Sequence, residues 1–236
     1  MLSATEGSAA QVSVARKMRP GREQSVHYLP VGVDCDFFDP LKIDRVSIRN
    51  KFGFAESDVV IGYFGYLGCW KNRFAGEALL DAAPALKNHR FLIIGAGPAL
   101  ADWKERAAAL GLADRFTFTG FIPQADLPGA LASTDICVDT LEPGFHSEAR
   151  SETKLKQYMA MGRACVATDI GENRVDLDNG KAGVLVPSNS EALATAIEQL
   201  ARDSAARIHF GEAARARAKQ VYSWEVLARQ MAAALT

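Results

Sequence analysis

Two stretches of this sequence carry residues suited to holding an anion. Lys71 follows a turn at Gly68 and can reach a phosphate, although an isolated lysine is more often simply solvated. Ser151, Thr153 and Lys154 open the run SETKLKQYMAMGRACVAT, residues 151–168. That run begins polar, becomes helical with Leu155, Tyr158 and Met159 on or near one face, closes at Gly162, and feeds a short apolar strand at 164–167. A helix that leaves a polar loop and delivers a buried parallel strand presents its N-terminus at a sheet edge. Unpaired N–H groups and partial positive charge make that end suitable for phosphate. The hydroxyls of Ser151 and Thr153 can cap the helix or meet the anion. By periodicity alone the same run is equally an ordinary crossover helix.

Other chemistries fit less well. Gly95-Ala96-Gly97-Pro98 follows a strand, but Leu100 stands where a dinucleotide fingerprint has its third glycine, and no acidic residue is placed for a ribose. The loop TLEPGFHSEARSE, residues 140–152, holds His146 and three glutamates, including Glu148; a histidine there is as readily a surface residue as a ligand donor. No HExxH or GxSxG pattern occurs, so metal-hydrolase and serine-hydrolase chemistry lack support, and no metal is implied. Cys165 lies within a strand-like run with no evident base, and Cys137 is in a similar setting; both read as small buried hydrophobes.

The elements that position these residues alternate. Apolar strands are expected at 59–66, 90–94, 116–119, 135–139, 164–168 and 183–186, separated by helices at 74–86, 100–110, 124–132 and about 151–162. Their continuous apolar character implies a mostly parallel six-stranded sheet covered on both faces, a single Rossmann-like doubly wound α/β domain. Ligands of such sheets sit beyond the carboxyl ends of the strands, at loops 66–73, 95–98, 120–124, 140–152 and 169–173 here. A short element near Val175, a helix over 190–201 capped by Ser188 or Ser190, and two terminal helices at about 203–219 and 223–235 follow. Before the sheet, 26–34 reads as a short broken strand, 36–53 as a connector with one helical turn, and 1–26 as an irregular tail. The 236 residues are 48% hydrophobic and 23% charged with a net charge of -1, which gives no electrostatic case for nucleic acid or an anionic membrane. With no long apolar span and no signal-like N-terminus, a cytoplasmic location is the default.

Seven segments in order carry a family resemblance. Tyr28 to Asp34 (YLPVGVD) resembles an "IPNGVD" linker, and Phe64-Gly-Tyr-Leu67 with Lys71 a "GRLxxxK" loop. Gly95 to Pro98 resembles "GxGP", and Phe116 to Phe121 resembles "VxFLGF". Lys154 to Asp169 resembles "KLFEYMAxGxPVVATD"; Val184 to Pro187, and the "FSWE"-like Tyr222 to Glu225, complete the set. The sequence resembles the C-terminal, donor-binding domain of retaining nucleotide-sugar glycosyltransferases of the GT-B fold (the group 1 type), over about residues 26–236.

The resemblance implies half of a GT-B fold, with a nucleotide-binding region at 27–221, a terminal helix at 222–236 that would cross to an absent N-terminal domain, and 1–26 as a remnant of it. It implies a nucleotide-diphospho-sugar as donor substrate and no cofactor. Lys71 would hold the diphosphate, backbone around Phe121 and Ile122 would meet the base, and the helix start at Ser151, Thr153 and Lys154 would face phosphate beside Gly68, Gly95 and Gly97. The family's ribose-gripping glutamate is Gln157 here, its loop arginine is Tyr66, and its first glutamate falls on Ala149, leaving neighbouring Glu148 as a substitute toward the sugar. Acceptor binding belongs to the N-terminal domain, so this chain alone is expected to be inactive and to need that domain as partner, or to self-associate through the exposed face. The competing expectation is a non-catalytic interaction protein with a degenerate nucleotide site.

Overall fold

The computed structural model describes residues 12–13, 16–18, 21, 26–70, 73–74, 76–148 and 150–235. Six parallel strands form one sheet: β1 (Val60–Phe64), β2 (Arg90–Ile94), β3 (Phe116–Gly120), β4 (Ile136–Asp139), β5 (Ala164–Thr168) and β6 (Val184–Val186). Their spatial order is 3-2-1-4-5-6, the doubly wound arrangement. Alternate residues explain why the strands are apolar throughout. Ile61, Tyr63, Phe91, Ile93, Ile136, Val138 and Val166 enter one core, whereas Val60, Leu92, Ile94, Cys137, Cys165 and Ala167 enter the other. Both faces are covered, so no strand residue is fully exposed, although most of β3 and the first two residues of β6 are only half-buried.

The helices are α1 (Arg45–Lys51), α2 (Glu77–Ala82), α3 (Leu100–Ala109), α4 (Leu127–Ala132), α5 (Thr153–Ala160), α6 (Ser190–Arg202), α7 (Ser204–Arg217) and α8 (Trp224–Leu235). Single turns occupy Phe145–Glu148 and Asn173–Asp176, and a π-type turn, Ala218–Tyr222, joins α7 to α8. No helix among the described residues is long and apolar enough to cross a membrane.

Several local expectations are corrected. The segment 26–34 is not a strand: within it only Val33 makes a bridge, to Ser223, because Pro30 has no N–H to donate and Gly32 lies under the Trp224 ring. The connector holds a seven-residue helix, α1, capped by the Asp44 carboxylate on the Ser47 amide. The helix expected from 74 onwards starts only at Glu77, after a two-residue antiparallel rung (Cys69–Trp70 with Arg73–Phe74) and a left-handed Gly76 at φ 96°; it then tightens to a 3-10 turn where Pro84 enters. The cap of α6 is neither serine. Asn189 is extended and its Oδ1 accepts from the Ala192 amide at 2.8 Å, while the Ser188 hydroxyl donates to the Leu141 carbonyl. The central helix begins at Thr153 rather than Ser151.

Candidate functional site

The crevice of a doubly wound sheet opens where the strand order reverses, here between β1 and β4. Its two walls are the loop after β1 and the loop that runs from β4 into α5. The first wall depends on backbone approach. Gly65 and Leu67 donate to the carbonyls of Ile94 and Ala96, and Ala99 donates to the Leu67 carbonyl. A Cβ on Gly95 would stand 2.0 Å from the Gly65 oxygen, and one on Gly97 2.1 Å from the Leu67 oxygen. The glycine pair therefore lets two loops lie backbone against backbone at the mouth of the sheet. A Cβ on Gly68 would meet the exposed Tyr66 ring rather than backbone, so that position is less restricted than Gly95 and Gly97.

The second wall is α5. Leu155, Tyr158 and Met159 are fully buried, which fixes one face of the helix against the sheet. It ends in a Schellman arrangement, with Gly162 at φ 62°, its amide on the Met159 carbonyl and the Arg163 amide on the Tyr158 carbonyl. The Tyr158 hydroxyl accepts from the Phe64 amide at 2.8 Å and joins α5 directly to the end of β1. At its start, Glu152 occupies the cap position but makes no side-chain cap bond, so among the described residues no side chain caps the first-turn amides.

Charge is organised below that uncapped end. The Lys154 ammonium lies 3.0 Å from Asp139 at the end of β4 and 3.7 Å from Glu152, over the face of the Tyr63 ring. Arg150 pairs with Glu152 at 2.8 Å from the solvent side. Burial opposes the charge on Lys154, but Asp139, Tyr63 and Glu152 outweigh it and hold the ammonium above its ordinary range. Burial, followed by the Asp139 charge, pushes the Glu152 carboxyl up. Asp139 went unrecognised in the sequence; a carboxylate closing an otherwise apolar strand at the ligand edge was the available signal.

The residues singled out from sequence are distributed as follows. Thr153 is exposed at the first helical position, and Ser151 is half-buried just before it. Gln157 is half-buried one turn further on, and its Oε1 is shielded from solvent with no hydrogen-bond partner among the described residues. Glu148 ends the turn beside the crevice and is exposed. Phe121 is 83% exposed and Ile122 half-buried on the loop after β3. Lys71 and Ala149 lie outside the described residues, as does the side chain of His146.

Fold and crevice together define a Rossmann-like domain with its ligand edge at the switch point. Residues 58–203 match the model of the family described as glycosyl transferases group 1. The chain belongs to that family, and its fold is the C-terminal Rossmann-like half of the GT-B arrangement. It is 31% identical over 142 residues to the 2-deoxystreptamine glucosyltransferase of Streptomyces kanamyceticus, covering 59% of this chain and 34% of that protein. Against the GDP-mannose-dependent alpha-(1-6)-phosphatidylinositol monomannoside mannosyltransferase of Mycobacterium tuberculosis it is 27% identical over 220 residues, covering 90% of this chain and 56% of the relative. The chain thus spans between a third and just over half the length of these relatives. Anabaena Alr3699/HepE, solved with UDP and glucose, superposes with a TM-score of 0.78 at 23% identity over 98% of this chain and 61% of its own. The C-terminal domain of a group 1 family protein (LpcC) from Francisella tularensis is covered completely, by 82% of this chain, with a TM-score of 0.67 at 23% identity.

Proposed function

We propose that this domain binds a nucleotide-diphospho-sugar donor for a retaining hexosyltransferase, and that transfer requires an N-terminal domain supplying the acceptor. The observation that carries this reading is the start of α5, without a side-chain cap from Glu152, at the switch-point crevice. Amides of that first turn and the Lys71 ammonium would receive the diphosphate; as the anomeric carbon passes from the diphosphate oxygen to the acceptor hydroxyl oxygen, they would stabilise charge on the departing nucleoside diphosphate. Gln157, with its unpartnered buried oxygen, is a candidate acceptor for ribose hydroxyls, Phe121 and Ile122 are candidates to flank the base, and Glu148 is a candidate to meet the sugar. The relatives support a sugar nucleotide without agreeing on its base, since one is named for GDP-mannose and one neighbour was solved with UDP.

Titration calorimetry of the chain with UDP, GDP, ADP and their sugar conjugates tests the reading. Saturable binding with a preferred base is expected, weakened at least several-fold by Lys71→Ala. A folded protein that binds none of them would instead favour a non-catalytic interaction module. The feature favouring that second reading is Gln157 itself, because an amide accepts more weakly from a ribose diol than a carboxylate does.

A further inference from the structure

Lys156 is a fully buried lysine one turn into α5, and its ammonium touches three parts of the chain. It pairs with Asp176, equally buried, at 2.5 Å; it donates to the Ser151 hydroxyl at 3.0 Å; and it lies 5.3 Å from the centre of the Tyr222 ring. Filling this space would not require charge. An apolar pair of similar size does so without the cost of desolvating two ions. The charge adds a cation–π contact with Tyr222 and the hydrogen bond to Ser151, and Ser151 belongs to the loop that delivers the uncapped end of α5.

Asp176, the anchor of this grip, is tied in turn to both margins of the domain. Arg217, at the end of α7, donates to the carbonyls of Asp176 at 2.7 Å and Val175 at 2.5 Å and also lies over the Tyr222 ring, 5.7 Å from its centre. The Tyr28 hydroxyl, on the segment leading into the sheet, donates to Glu172 in the turn before Asp176. The two margins also hold one another: the Val33 amide donates to the Tyr222 carbonyl at 2.8 Å, and Gly32 lies against the Trp224 ring.

We propose that Lys156 is a positioning residue of the donor site: anchored on Asp176, it fixes Ser151 and so sets the start of α5 relative to the segments by which the chain enters and leaves the sheet. This rests on the reading that the start of α5 receives the donor diphosphate.

The test replaces the pair together, Lys156→Met with Asp176→Leu, so that no buried charge is left unpaired and the Ser151 hydroxyl is kept, alongside Ser151→Ala, which removes the acceptor of the Lys156 bond. Hydrogen–deuterium exchange is read without ligand on a peptide spanning residues 147–155, with urea denaturation as the control for global stability. At least tenfold faster exchange there is expected in both variants, with the sheet peptides unchanged. Affinity for whichever of UDP or GDP the wild-type chain binds should fall at least fivefold in both. Combining the three substitutions should add little, since they break one grip. Unchanged exchange at 147–155 in a folded variant overturns the grip, and faster exchange with unchanged affinity overturns its role in the site. A wild-type chain that binds neither nucleotide overturns the donor reading and the site role with it, while the exchange arm still decides separately whether Lys156 holds the loop.

Discussion

Asp139 at the carboxyl end of β4 and Lys154 in the first turn of α5 form an ion pair at 3.0 Å, the carboxylate fully buried and the lysine side chain 10% exposed. The pair joins the strand that borders the crevice to the helix that forms its wall. Removing the cation leaves a carboxylate with no compensating charge in the interior, a change that costs about 3–5 kcal/mol. Lys154→Met should lower unfolding stability in urea by that order. Asp139→Asn should cost less, because Glu152 remains 3.7 Å from the ammonium. Equal losses in the two variants would show that Glu152 gives Lys154 no alternative partner.

Gly95 and Gly53 separate two reasons for a glycine. Both have positive φ, 134° and 74°, but a Cβ at Gly95 meets the Gly65 oxygen at 2.0 Å whereas Gly53 faces open space. Gly53→Ala should cost about 1 kcal/mol from backbone strain alone. Gly95→Ala should cost about 3 kcal/mol or more, because two loops must part to admit the methyl group. Thermal unfolding of both variants measures the contrast; similar losses would remove the loop-against-loop packing from the account of the first wall.

Burial pushes the Asp176 carboxyl up to about 6 from its ordinary 3.8, against the pull of Lys156 and with Glu172 adding to the rise. The folded chain therefore holds this proton more tightly than the unfolded chain between about pH 4 and 6. The contribution of this group to stability is complete below pH 4 and is lost as pH rises through 6. Two pH units correspond to about 3 kcal/mol. Asp176→Asn should flatten the pH dependence of stability in that window. An unchanged slope would mean that other groups govern it.

Gln157 offers a gain-of-binding test. A carboxylate at this position would accept charge-assisted hydrogen bonds from a ribose diol, each stronger than an amide provides. Gln157→Glu should tighten nucleoside-diphosphate binding roughly tenfold, about 1.4 kcal/mol, as measured by calorimetry. No change would place Gln157 away from the ribose.

The sheet was legible because its strands are buried on both sides. Runs such as Ile136 to Val138 and Ala164 to Ala167 have no polar alternation to mislead, and each is preceded by a helical segment, so parallel order follows. The path between elements was less legible. Asn189 caps α6 between two serines that are chemically as well suited to the position, and only the conformation of the chain there decides among them. The segment 26–34 reads as a broken strand in sequence, but its one bridge among the described residues joins Val33 to Ser223, far away along the chain. In the site, the polar start of α5 could be read from residue types. The charge pairing of Lys154 and Lys156 could not, because Asp139 and Asp176 are brought to them only by folding.

The bridge between Val33 and Ser223 closes almost the entire length of the chain into one loop. The entropic cost of bringing ends together grows with the length between them, so this contact gains nothing until the sheet it encloses exists. All six strands and their crossovers can assemble first, each pairing separated by a shorter stretch. The seam at residues 32–33 and 222–224 is therefore expected to form last in folding and to open first in native fluctuations. Native-state exchange at the Val33 amide, set against that of β1 and β4, would report this order: protection at Val33 equal to the central strands would mean that the ring opens only when the whole domain unfolds.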